Sequence, residues 1–147
     1  MDTTRFSQQG IAILRVVLGI VFLAHGWQKA FTMGLGGVAG FFTQIGIPLP
    51  ALAAVVVTTV ELVGGLALMV GLGTRFVTIP LAIDMLAATL VFHLRNGFFI
   101  TDGGVEFTLV LAAGAIALAT IGPGAWALDN LMGRHARTAP LHETLPG

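Results

Sequence analysis

A chain of 147 residues has room for one domain, but 56% apolar and 10% charged residues exclude an ordinary soluble one, for which about 45–50% and 25% are usual. Seven basic and seven acidic side chains cancel, so there is no basic tract for nucleic acid and no acidic tail. Cysteine and tyrosine are absent, which removes thiolate nucleophiles, disulfide exchange, Cys-held iron–sulfur clusters, covalently attached haem and tyrosyl radicals. Redox chemistry in such a chain must belong to a bound cofactor, a diffusible quinone or a partner protein.

Met1 to Gln9 reads as a short polar leader on the cytoplasmic side, with Arg5 as its cation. Gly10 to Phe31, GIAILRVVLGIVFLAHGWQKAF, is the first span: about 22 residues rise roughly 33 Å, enough for a hydrocarbon core of about 30 Å. It is too long for a signal peptide, is interrupted by Arg15, and has no small-x-small site after it, so it is read as retained. Arg15, Gly19, Phe22, Gly26 and Lys29 share one arc of this helix, with His25 at its border. Charges at such depth must be paired, hydrated or able to snorkel. Lys29, at the end of the span, could simply snorkel; Arg15, nearly two turns in, is harder to explain that way.

Thr32 to Pro50 is glycine-rich, too apolar for a solvated loop and too short to span. It reads as an interfacial or re-entrant segment with Phe41 and Phe42 as anchors, and Pro48 and Pro50 start the next helix. Ala51 to Leu72 is the second span, with Ala54, Thr58, Glu61, Gly65 and Leu68 on one face: a carboxylate among small residues that permit close helix approach. After a tight turn, Arg75 to His93 is the third span, with Pro80 near its start and Asp84 near the midplane. His93 comes nine residues after Asp84, on the opposite side of an ideal helix, so the two share a site only if the helix breaks between them. Leu94 to Gly103 is a polar turn with an interfacial Phe98-Phe99 pair. Gly104 to Ile121 is the fourth span, with Glu106 near its start and a small-residue middle suited to tight packing. Residues 125–147 hold an amphipathic piece around Trp126 to Met132 and a tail with Arg134, His135 and Arg137 that is expected to be mobile.

The predicted architecture is an all-α membrane protein, a four-helix transmembrane bundle occupying residues 10–124. Arg5, Arg75, Arg134 and Arg137 fall on one side and Lys29 and Arg95 on the other, which places both termini in the cytoplasm by the positive-inside rule. Depth then sorts the polar groups. Arg15, Glu61 and Asp84 lie between the cytoplasmic half and the midplane, where an arginine between two acids would make a buried network. His25, Lys29, His93 and Glu106 gather in the outer half. A histidine and a carboxylate beside a lipid-accessible apolar pocket suit quinone chemistry, the imidazole donating to a carbonyl and the acid relaying protons. Each group could equally serve only as an interhelical hydrogen bond, worth about 0.6 kcal/mol. Two histidines could also ligate a b-type haem; no spacing motif marks a metal site such as zinc.

The first span RVVLGIVFLAHGWQK, the segment GFFTQIGIP, the second span VELVGGLALMVGLGTR and the later GPGAWALD together resemble the DoxX/DoxD-like small membrane proteins of bacteria. The joint pattern of Arg15, Gly26, Lys29, Gly46, Pro48, Glu61, Gly65, Gly71 and Arg75 carries the resemblance, which covers most of Gly10 to Asp129. It implies a four-helix domain in the plasma membrane and an association with electron transfer, since the family includes a subunit of thiosulfate:quinone oxidoreductase and proteins linked to quinone or thiol stress. Without cysteine, thiol chemistry would need a partner.

The resulting expectation is a quinone-interacting subunit of a membrane oxidoreductase. His25 and Glu61 form its reactive pair, Lys29 and Glu106 complete the quinone site, and Arg15 and Asp84 support it. The competing expectation is a non-catalytic subunit that anchors or assembles a larger membrane complex, for which a homo-oligomer is one form. A proton-coupled carrier using Glu61 and Asp84 ranks third, for want of an inverted repeat.

Overall fold

The computed structural model describes residues 3–137, with side chains through Met132; the tail expected to be mobile lies outside the described residues from 138 onward. The described regular elements are all helical: α1 (Thr3–Trp27), a π-helical turn (Gln28–Met33), α2 (Gly34–Gln44), α3 (Pro50–Val70), α4 (Thr74–Val91), two short 3-10 turns (His93–Asn96 and Ile100–Asp102), α5 (Glu106–Ile121) and α6 (Leu128–Arg137). Three helical stretches, Thr3–Gln44, Pro50–Val70 and Thr74–Val91, are long and apolar enough to cross a membrane. α5 is apolar but shorter, with 16 residues that rise only about 24 Å.

The burial pattern is that of a protein whose outside is oil. α1 buries Ala12, Arg15, Leu18, Gly19, Phe22 and Gly26, a stripe with helical spacing that includes its one central charge. Ile13, Leu14, Val17 and Ile20, on its other faces, are exposed. α3 likewise buries Ala54, Thr58, Glu61, Gly64, Gly65 and Leu68 and exposes Val55, Val56, Val63 and Leu66. Polar groups thus turn in and branched hydrocarbon turns out, as a bilayer requires.

α1 and α3 form the most extensive helix pair, and glycine sets their separation. A Cβ on Gly26 would lie 2.6 Å from the Leu62 backbone nitrogen, and one on Gly19 would lie 2.8 Å from the Gly65 carbonyl oxygen. Gly26→Ala must therefore push the helices apart, and we expect it to cost about 1–3 kcal/mol, read as a lower melting temperature in mild detergent. Gly10→Ala is the control: its Cβ meets nothing within 4 Å, and alanine in a helix is favoured there by about 0.5–1 kcal/mol. Equal melting of the two variants would refute the glycine contact.

At Gly34 the backbone leaves helical space, with φ 70° and ψ 154°, and α2 then packs along the first half of α3 through Val38, Phe42 and Ala54. The stretch read as interfacial or re-entrant is thus a short helix docked on the bundle. Phe42 is buried and Phe41 meets the Phe92 ring edge-on at 5.1 Å, so both expected anchors also pack on the bundle. α1 begins at Thr3, so most of the polar leader is helical too.

One end of the bundle is closed by a clasp. Gly71, at φ 72°, ends α3, and a side chain there would strike the Arg15 guanidinium and Ala127. Arg15, 1% exposed, donates from Nη1 to the Leu68 carbonyl and from Nη2 to the Ala125 carbonyl, both at 3.2 Å. The Asp129 carboxylate accepts from the Gly73 and Thr74 backbone N–H groups at 2.6 and 2.9 Å, capping the first turn of α4. The Asp129 N–H donates back to the Gly71 carbonyl, and the Ala125 N–H to the Gln8 carbonyl. The start of α1, the α3–α4 turn and the segment leading into α6 therefore share one end of the bundle, as an even number of crossings requires.

Candidate functional site

The opposite end is open. There a cavity of about 350 Å³ lies between α1, α2, α3, α4 and α5, within the size range of small-ligand sites. Its walls are mainly hydrocarbon and aromatic, with Phe22, Phe41, Val57, Met85 and Leu111 among them. Into that surface project His25, Lys29, Glu61, Asp84 and His93.

Lys29 and Glu61 form an ion pair at 2.5 Å, with the lysine 20% and the glutamate 2% exposed. The close glycine crossing of α1 and α3 makes this possible, because it brings the end of α1 within reach of a carboxylate mid-way along α3. Lys29 sits in the π-helical turn, a local widening often found at functional positions. Asp84 lines the same cavity, and its Oδ2 is buried without a hydrogen-bond partner. A buried acceptor left unpaired within a protein is unusual.

The two imidazoles are held alike. His25 Nδ1 donates to the Val21 carbonyl one turn back, at 2.9 Å, and its ring lies 5.8 Å from that of Phe107. His93 Nδ1 donates to the Gly103 carbonyl at 2.6 Å, and its ring meets Phe92 edge-on at 5.0 Å. A carbonyl oxygen only accepts, so Nδ1 carries the proton in each ring and Nε2 is left for the cavity.

The structure thus brings His25, Lys29, Glu61 and Asp84, all read as site residues from the sequence, around one cavity and adds His93 to them. α4 stops at Val91, and Phe92, with φ −116° and ψ −55°, leads into a 3-10 turn that carries His93. That break swings His93 round to the face that Asp84 occupies. Two expected members lie elsewhere. Arg15 does not bridge Glu61 and Asp84: it is bound to carbonyls at the clasp, where Asp129 supplies the opposing charge. Glu106 does not join the cavity: its Oε1 accepts from the Ile100 N–H at 2.6 Å and closes the loop before α5. Phe92, Phe107 and the Gly103 carbonyl, which fix the two imidazoles, were not singled out by sequence. The Phe92-His93 adjacency was the only available signal, since Gly103 becomes a partner through the loop fold alone. Among the described residues no three His, Asp or Glu side chains converge to hold a metal ion.

A family model described as DoxX matches residues 10–94, more than half of the chain. The chain belongs to the DoxX family. A Bacillus subtilis DoxX relative named "Putative oxidoreductase CatD" is 37% identical over 120 residues, covering 82% of this chain and 84% of its own. An uncharacterized membrane protein of Mycobacterium tuberculosis is 34% identical over 136 residues, covering 86% of this chain and 83% of its own. The inner membrane protein YqjF of Escherichia coli is 28% identical over 130 residues, covering 88% of this chain and 97% of its own. No solved structure matches the chain. The DoxX match ends at residue 94, so it includes His25, Lys29, Glu61, Asp84 and His93 and leaves α5 outside.

Proposed function

We propose that this DoxX protein is a quinone-interacting subunit of a bacterial membrane oxidoreductase, lying in the plasma membrane with both termini cytoplasmic. The observation that carries the reading is the single cavity in which His25, Lys29, Glu61, Asp84 and His93 meet an otherwise apolar, aromatic wall. A flat, lipophilic headgroup fits such a wall, beside which the Asp84 carboxyl leaves one oxygen without a partner. A bound quinone supplies a two-electron, two-proton couple. The chain's own part is to position the headgroup against Phe22 and Phe41, exclude water, and hold protons at His25 Nε2 and the Glu61 and Asp84 carboxylates. The electrons must come from or go to a partner, because the chain has no cysteine or tyrosine of its own. The name of the Bacillus subtilis relative is in keeping with this reading.

The lack of a self-sufficient redox group also favours a second reading, in which the bundle anchors a larger complex and does no chemistry. Extraction of the protein purified in mild detergent separates the two. We expect a roughly stoichiometric quinone or quinol that the His25→Ala variant loses. Partner subunits without quinone would support the anchor, and a Soret band would point to haem held by His25 and His93.

A further inference from the structure

The clasp end of the bundle carries a second cleft, of about 310 Å³, lined by Thr4, Arg5, Gln8, Gln9, Ala125 and Trp126. Its two walls are tied together: the Ala125 N–H donates to the Gln8 carbonyl at 2.9 Å, and the Ala125 carbonyl accepts from Arg15 Nη2 at 3.2 Å. Trp126 follows in the left-handed region, at φ 54°, with its side chain outside the bundle and 74% exposed. The α3–α4 turn lies at this end, and so does the end of α5, whose Ile121 carbonyl accepts from Arg75 Nη2. The cleft is thus level with the helix ends, where hydrocarbon gives way to headgroups and an exposed tryptophan is at home. The Arg5 guanidinium has no hydrogen-bond or ion-pair partner among the described residues, and no described carboxylate lines the cleft. A free guanidinium flanked by amides and a hydroxyl, with no acid beside it, is complementary to a phosphate that carries hydroxyls.

We propose that this cleft holds the headgroup of an anionic glycerophospholipid of the phosphatidylglycerol type. Arg5 takes the phosphodiester with the planar fork of donors that a guanidinium offers. The Gln8 and Gln9 amides, which both donate and accept, meet the headgroup's glycerol hydroxyls. The Trp126 indole is the apolar wall against which the lipid's glycerol backbone packs. A zwitterionic headgroup would bring an ammonium as well, and no described carboxylate is there to receive it. The site lies at the opposite end from the cavity and does not depend on the quinone reading. A lipid seated in it would touch both the start of α1 and the segment leading into α6, and so brace the clasp.

The test is native mass spectrometry of the delipidated full-length protein in dodecyl maltoside, titrated with dioleoyl-phosphatidylglycerol or dioleoyl-phosphatidylethanolamine. We expect the first phosphatidylglycerol to bind about fivefold or more tighter than the first phosphatidylethanolamine, the effect of one arginine on an anionic lipid. Arg5→Gln should abolish that preference and leave the melting temperature in detergent alone unchanged, since Arg5 is exposed and its guanidinium unpartnered. Arg75→Gln is the control: Arg75 is exposed at the same end but does not line the cleft, and the preference should survive its loss. Equal binding of the two lipids by the wild-type protein would overturn the proposal. Equal loss of preference in the two variants would overturn it too, since net charge alone would then decide. Displacement of the lipid by millimolar inorganic phosphate would assign the cleft to a soluble anion and overturn the lipid as its occupant.

Discussion

Lys29→Met is expected to lower the stability of the bundle by about 3–5 kcal/mol, because it leaves a buried carboxylate without its counter-charge. Glu61 is 2% exposed. The reverse change, Glu61→Leu, should cost less: Lys29 is already 20% exposed, at the end of a flexible stem that can reach the interface. The double variant Lys29→Met/Glu61→Leu should recover most of the loss, since well-packed hydrocarbon can replace a buried pair at little cost. Thermal unfolding in mild detergent of the two single variants and the double variant gives the coupling directly. Additive losses would show that the pair contributes no stability of its own.

Asp129→Ala is the second large effect, at the other end of the molecule, and about 3–5 kcal/mol is again expected. The carboxylate accepts two backbone N–H groups at the start of α4, charge-assisted bonds worth about 1.5–3 kcal/mol each, placed where a helix N-terminus favours negative charge. It also opposes the charge of Arg15, whose guanidinium is 1% exposed. Asp129→Asn should cost less, because one acceptor oxygen remains for α4. A protease applied to detergent-solubilised protein should cut the segment from Gly122 into α6 faster in the alanine variant than in the asparagine one. Melting and cleavage unchanged from wild type would mean that the clasp is not what holds α6 in place.

Helix faces were legible in the sequence because they depend only on spacing. The arc Arg15, Gly19, Phe22, Gly26 is the buried stripe of α1, and the face Ala54, Thr58, Glu61, Gly65, Leu68 is buried throughout α3. The choice of partners was not legible. Arg15 was matched to Glu61 and Asp84 by charge and depth, yet it binds carbonyls freed by the end of α3 and by the turn before α6, groups that no composition argument displays. Glu106 went to the loop it follows, where its carboxylate accepts from the Ile100 N–H. His93 joined Asp84 through a helix end at Val91 that a continuous apolar run conceals. In each case loop and helix-end backbone geometry, which periodicity does not encode, made the decision.

The short α5 has a consequence for the surrounding bilayer. Its roughly 24 Å rise falls about 6 Å below a typical hydrocarbon thickness, while α1 and α3 are long enough to match it. A span that short is accommodated by thinning of the adjacent lipid, by snorkelling of its flanking residues or by packing against another copy, each at a cost of fractions of a kcal/mol per ångström. Phe107, Thr108 and Leu111 of that same helix line the cavity. A thinner annulus brings the headgroup region, and the water that accompanies it, closer to the helix that forms this cavity wall.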